Sequence, residues 1–150
     1  MNESETGKLL ITWSSYASLE KRLQEKLSKY RDIDFVVGIA RGGVYPAFSM
    51  ANKLNFKSDS IRVASYNDVN NKEEVKILQG PCMDLNYSNL LLIDDISDTG
   101  ETFIAAIKYL KKKYNPSKIY SASLLVKPWT KFLPDVYLES TDKWVVFPWE

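Results

Sequence analysis

The sequence predicts an α/β fold built on a parallel sheet. Two observations carry this. Short apolar runs of strand type (FVVGIA at 35–40, Ile61–Ala64, LLLI at 90–93 and Ile119–Val126) alternate with segments of helical periodicity. The residues with chemical character, Arg41-Gly42-Gly43, the 94–102 segment and Lys127, each directly follow such a run. A parallel sheet brings them to one edge, and ligands of such sheets bind beyond the carboxyl ends of the strands.

Taken in order, Tyr16, Leu19, Leu23, Leu27 and Tyr30 recur at helical spacing behind caps at Ser14 and Ser15. After the 35–40 strand, a second helix is expected with Ala47, Phe48, Ala51 and Leu54 on its buried face. Residues 66–80, YNDVNNKEEVKILQG, are polar and turn-rich with one apolar patch at Val75, Ile77 and Leu78, and read as a long loop or loose hairpin of the kind that forms lids. The strand at 90–93 leads into acids and then a helix with Phe103, Ile107, Leu110 and Tyr114 on one stripe, stopped by Asn115-Pro116. Residues 134–150 are short, aromatic and punctuated by proline. No repeat or linker interrupts the 150 residues, which read as one domain long enough to bury a core.

Composition narrows the chemistry. There is no histidine and one cysteine, Cys82, so histidine triads, disulfide frameworks and Cys- or His-built zinc sites are excluded. Acid–base work falls to Asp, Glu, Lys or Tyr, and any metal should be a hard, oxygen-bound cation such as Mg2+. A net charge of +1 gives no field to attract nucleic acid or a membrane surface, and the basic run Lys111–Lys113 reads as a solvated helix end. With no apolar run of membrane-spanning length and no signal-peptide pattern in the polar first eight residues, a cytoplasmic protein is expected.

The segment LLLIDDISDTGET (90–102) concentrates the function. A buried strand delivers a loop, and the loop opens a helix. Thr99, Gly100, Glu101 and Thr102 offer unpaired backbone N–H groups at the helix start, and the two threonines add hydroxyls, which suits a phosphate monoester. Gly100 lets backbone and ligand come close. Carboxylates repel phosphate, so Asp94 and Asp95 should serve another part of the ligand: they can accept from sugar hydroxyls, or hold Mg2+ directly or through water. The implied ligand is a phosphosugar with vicinal hydroxyls and a metal. Taken singly, Asp98 and Thr99 could merely cap the helix, with Asp98 and Glu101 as a capping-box-like pair. A P-loop is excluded, because no glycine-rich loop ends in Gly-Lys-Ser/Thr.

Four apolar residues, two acids and a loop with Asp-Thr-Gly resemble the motif that binds phosphoribosyl pyrophosphate (PRPP) in type I phosphoribosyltransferases. The Ser-Asp-Thr-Gly form is similar to the 6-oxopurine branch, which acts on hypoxanthine, guanine and xanthine. The resemblance runs from about Phe35 to Glu150. It implies a twisted parallel sheet flanked by helices, with a small hood built from the C-terminal and N-terminal ends. It further implies that Asp94 and Asp95 bind the ribose hydroxyls and magnesium, that Asp98 is the general acid/base facing the purine N7, and that residues 98–102 hold the 5′-phosphate. GIARGG (38–43) resembles the pyrophosphate loop, in which Arg41, Gly42 and Gly43 grip the leaving group and where a non-proline cis peptide, here Ala40–Arg41, is common. Ser65-Tyr66 resembles the start of the flexible catalytic loop that closes over PRPP.

The same resemblance assigns the base. Lys127, at a strand end, matches the lysine that contacts the purine O6; a 6-amino group would not accept that bond. Trp144 matches an aromatic that stacks on the purine, the backbone of Val145 would meet the base edge, and Lys131 sits where relatives often carry an arginine near pyrophosphate. Trp13, Trp129 and Trp149 are left to packing or an interface. The expected partners are PRPP and a 6-oxopurine, within a homo-oligomer (dimer or tetramer). A PRPP sensor on the same fold, or a transferase for adenine or uracil, are the rival readings.

Overall fold

The computed structural model describes residues 2–3, 7–67 and 73–150. In chain order the elements are β1 (Asn2–Glu3), β2 (Leu9–Leu10), α1 (Trp13–Leu27), β3 (Phe35–Ala40), α2 (Val44–Leu54), β4 (Lys57–Asn67), β5 (Glu73–Gln79), β6 (Asn89–Ser97), α3 (Glu101–Lys113), β7 (Lys118–Val126), β8 (Glu139–Ser140) and β9 (Val145–Val146). Six strands form the main sheet in the order β5-β4-β3-β6-β7-β8, and a small sheet, β1-β2-β9, joins the two ends of the chain. All neighbours in the main sheet are parallel except β4 and β5.

Period-two alternation splits the apolar strands between two cores. Val36 of β3 and Leu91 and Ile93 of β6 face α1 and α2, packing with Leu19, Leu23, Ala47 and Met50. Phe35, Val37, Ile39, Leu90 and Leu92 face α3, packing with Phe103, Ala106 and Leu110. This is why both central strands read as unbroken apolar runs: a parallel sheet covered on both faces needs no polar side.

Several local expectations are corrected. Of the two forms expected for residues 66–80 the structure shows the hairpin: the segment includes β5, an antiparallel edge strand on β4, which makes the otherwise parallel sheet mixed. Its polar composition concealed an alternation, with Val75 and Ile77 half-buried and Glu74, Lys76 and Leu78 exposed, which is the pattern of an edge strand with one covered face. Residues 68–72 of the same segment lie outside the described residues. The cap of α1 is Thr12, with Ser15 completing a reciprocal capping box, rather than Ser14 or Ser15. On α2 the buried stripe is Pro46, Ala47, Met50 and Ala51, while Phe48 is 43% exposed and Leu54 only partly buried. On α3 it is Phe103, Ala106 and Leu110, with Ile107 and Tyr114 at its margin.

The shifted stripe on α2 predicts an order of stabilities. Met50→Ala should cost about 2–5 kcal/mol and Phe48→Ala under about 1 kcal/mol by urea denaturation. The reverse order would place the buried face of α2 where the sequence first suggested it.

Candidate active site

β3, β6 and β7 lie side by side and parallel, so the loops that follow them share one edge of the sheet. β6 does not stop at its apolar run but continues through Asp94 and Asp95 to Ser97. Both carboxylates are consequently held by strand geometry, each 9% exposed. Asp94 Oδ1 accepts from the Asp95 N–H at 2.9 Å, and Asp95 Oδ1 accepts from the Ile96 N–H at 2.7 Å. Neither acid belongs to an ion pair among the described residues. Burial, and then the adjacent Asp95 carboxylate, push Asp94 well above the usual carboxylate range. Burial pushes Asp95 up to about 6, against the lowering effect of the Ile96 N–H.

The loop after β3 is pressed onto this pair. A Cβ at Gly42 would lie 2.0 Å from Asp95 Oδ2, and one at Gly43 would lie 2.4 Å from the Ile93 carbonyl and 2.7 Å from that of Ile39. Glycine is needed at both because a carboxylate and two strand backbones occupy the space. The Ala40–Arg41 peptide is cis, the form common at this place in the family the sequence resembles, and Arg41 itself is exposed.

The loop after β6 opens α3 at Gly100, whose φ of +87° and lack of Cβ let it sit against Phe132, where a Cβ would be 2.5 Å from the backbone N. Gly100 is the N-cap and has no side chain to offer; the capping pair of Asp98 with Glu101 does not form, and the Glu101 N–H instead donates to Thr99 Oγ1 at 3.4 Å. The amides that follow Glu101 in the first turn are left to serve a ligand. They border a cavity of about 210 Å³ lined by Ser65, Ser97, Asp98, Thr99, Gly100 and Thr102 among others, which lies between the β4–β5 hairpin and the start of α3. Tyr66 is half exposed, with the Lys76 ammonium 5.8 Å from its ring centroid.

The loop after β7 is stitched to the loop after β6. Lys127 N–H donates to Ser97 O (2.9 Å) and Lys131 N–H to Thr99 O (2.9 Å), and Ser97 Oγ meets Thr130 Oγ1 (2.9 Å). The Lys127 ammonium is buried; it donates to the Lys143 carbonyl and lies 5.3 Å from the centroid of the Trp129 ring. Trp129 in turn donates its indole N–H to Asp98 Oδ1 at 3.0 Å. Sequence reasoning left this tryptophan to packing or an interface, yet its place in the loop just past the end of β7, close to Lys127, carried the same signal. Lys131 pairs with Glu101 at 2.8 Å, which puts it at the start of α3.

The hood crosses the site. Leu9 and Ile11 donate to the carbonyls of Trp144 and Val146 (2.8 and 2.9 Å), so in this parallel pairing the peptide groups of Val145 point to the other edge of β9. That edge carries no further strand among the described residues. Trp144 is 67% exposed. At the far end of the segment, the Trp149 indole N–H leans toward Asp95 without reaching hydrogen-bond geometry.

No group of three or more possible protein ligands for a metal occurs among the described residues. The site nevertheless fits Mg2+: two adjacent buried carboxylates without a countercharge are hard oxygen donors, and this ion is commonly held by one or two carboxylates with substrate phosphates and water.

Sheet order, the acid pair, the open helix N-terminus and the two-ended hood together define a type I phosphoribosyltransferase fold. Residues 12–150 match the phosphoribosyl transferase domain model, and the chain belongs to that family. A xanthine-guanine phosphoribosyltransferase of Desulfotalea psychrophila is 32% identical over 143 residues, covering 93% of this chain and 84% of that one. The crystal structure of a purine phosphoribosyltransferase from Pyrococcus horikoshii superposes with a TM-score of 0.86 at 36% identity, over 95% and 93% of the two chains. A xanthine-guanine-hypoxanthine phosphoribosyltransferase of Helicobacter pylori shares the fold, with a TM-score of 0.85 at 24% identity over 95% and 94%. Among the described residues no helix is long and apolar enough to cross a membrane.

The raised acid pair implies a stability effect of definite sign. Unfolded, each carboxyl ionises near 3.8; folded, both stay protonated to higher pH, so stability is lost as pH rises from about 4 through 6. Asp94→Asn removes that penalty and keeps an acceptor for the Asp95 N–H. Its melting temperature, with EDTA present, should exceed that of the unmodified protein by about 3–8 °C at pH 7.5 and converge with it below pH 4. Equal melting at pH 7.5 would refute the penalty.

Proposed function

We propose that this protein is a magnesium-dependent, cytoplasmic enzyme of purine salvage. It transfers the 5-phosphoribosyl group of PRPP to N9 of a 6-oxopurine (hypoxanthine, guanine or xanthine), releasing pyrophosphate. The observation that carries the base assignment is the buried Lys127 ammonium at the end of β7, clamped between the Lys143 carbonyl and the Trp129 ring. An ammonium has three donors and only one is used by Lys143. The remaining donors suit a carbonyl oxygen such as O6, and they would be left unsatisfied against a 6-amino group, a loss of about 1–3 kcal/mol. Relatives named for purine, xanthine-guanine and xanthine-guanine-hypoxanthine substrates support the same class.

Each part of the substrate then has a place. The 5′-phosphate takes the amides and hydroxyls of residues 98–102 at the start of α3. The ribose hydroxyls donate to Asp94 and Asp95, which would also hold Mg2+; the ion supplies positive charge to the pyrophosphate oxygens. Arg41 and the amides of Gly42 and Gly43 receive the leaving pyrophosphate. Asp98 accepts the purine N7 proton as N9 attacks C1′ and the C1′–O bond to pyrophosphate breaks, so the proton leaves the base and the electron pair leaves with pyrophosphate. Trp144 stacks on the base, a contribution of ~1–3 kcal/mol, and the Val145 peptide meets its edge. The β4–β5 hairpin, beginning at Ser65-Tyr66, closes over PRPP and excludes water from an oxocarbenium-like transition state. The exposed aromatics Trp13, Tyr45 and Phe48 support assembly as a homo-oligomer.

Pyrophosphate release from PRPP and Mg2+ should occur with at least one of hypoxanthine, guanine and xanthine, and not with adenine or uracil. Tight PRPP binding with every base silent would instead favour a sensor. Lys127→Ala should lower kcat/KM for the oxopurine about 10–100-fold while leaving the KM for PRPP within about 3-fold. Equal losses for both substrates would remove Lys127 from base recognition.

A further inference from the structure

On a purine, O6 and N7 lie next to each other on one edge, so groups that read both must be held at a fixed separation. In this protein those groups are Lys127 and Asp98 under the function proposed above, and they sit on different loops. One indole touches both: the Trp129 ring faces the Lys127 ammonium at 5.3 Å, and its N–H donates to Asp98 Oδ1 at 3.0 Å. The other carboxylate oxygen of Asp98 has no hydrogen-bond partner among the described residues.

The ring is not there to fill a core. Trp129 is 55% exposed and belongs to neither apolar cluster. Its position is fixed through the backbone instead. Pro128 precedes it, Thr130 N–H donates to Lys127 O at 3.1 Å, and Thr130 Oγ1 is 2.9 Å from Ser97 Oγ. A half-exposed tryptophan on a pinned loop, with both its face and its N–H committed to site groups, is a spacer.

We propose that Trp129 is a positioning residue for the base. Its N–H orients the Asp98 carboxylate so that one oxygen is held and the other is presented to N7, and its face holds the Lys127 ammonium at the matching distance for O6. The inference rests on the oxopurine transferase reading, and its tests separate the two.

Trp129→Phe keeps the ring and removes the N–H. It should lower kcat for the oxopurine about 10-fold with the KM for PRPP within about 2-fold. The same change made in an Asp98→Ala background should cause no further loss, because Trp129 acts through Asp98. Trp129→Leu, which also removes the face, should in addition raise the KM for the base. An unchanged kcat in Trp129→Phe, an equal loss in both backgrounds, or a parallel rise in the KM for PRPP would overturn the proposal, the last by showing that the change had disturbed the 97–102 loop. The contact is also read without turnover. Asp98→Ala should shift the tryptophan emission of the free protein but leave that of the Trp129→Phe protein unchanged, and an identical shift in both would overturn it. If no base is turned over, the transferase reading fails, and emission still decides the contact.

Discussion

The rest of the site depends on one costly arrangement: two adjacent carboxylates buried at the end of a central strand. Asp94 and Asp95 have backbone N–H groups for partners and no cation among the described residues. Strand β6 must carry them past the apolar core, because only a strand still paired with β7 gives them fixed directions. The neighbouring loop must then come down on them, and that forces glycine at 42 and 43, where any side chain would meet a carboxylate or a strand carbonyl. The apolar burial of both faces of the sheet offsets the penalty, a usual relation between a stable scaffold and a strained functional edge.

A second constraint fixes distance. The start of α3 and Lys127 follow successive strands, and under the proposed reaction the sugar and the base they would hold must meet in line. The bonds from Lys127 to Ser97, from Lys131 to Thr99 and between Thr130 and Ser97 tie the two loops at three points. Gly100, in its left-handed conformation, is what lets Phe132 approach closely enough for those bonds to form. The ion pair of Lys131 with Glu101 also offsets the one acid in the first turn of α3.

The alternating apolar runs and the rule that ligands gather beyond strand ends made the α/β fold, the acid pair, the glycine loop and Lys127 legible in the sequence. These are local signals, each contained within about ten residues. What the sequence obscured was decided by neighbours far along the chain. β5 is a strand because β4 pairs with its backbone and Ile77 packs against the α3 core, so its charged residues left loop and hairpin both open until those partners were known. Phe48 points outward because the stripe of α2 that faces the core runs through Pro46, Ala47, Met50 and Ala51, and position 48 falls off it. Trp129 could be placed near Asp98 only once the two loops were seen to be joined, 31 residues apart in sequence.

The hood shows how a very short strand can be made to hold. β9 has two residues and pairs with only two of β2, far too little hydrogen bonding to fix it unaided. Its neighbour Trp149 supplies what the ladder lacks. That ring stacks on Tyr45 (4.9 Å) and Phe147 (5.0 Å) and meets Tyr16 edge-on (5.1 Å). It therefore ties the segment to α1 and to the first turn of α2, immediately after the glycine loop. The other end is tied by the Lys143 carbonyl on Lys127. The segment that bears Trp144 and Val145 is thus anchored at Lys127 on one side and beside the acid pair on the other. Its own middle is left open along the edge of β9 that carries no further strand among the described residues, the edge at which the proposed reaction would receive its base.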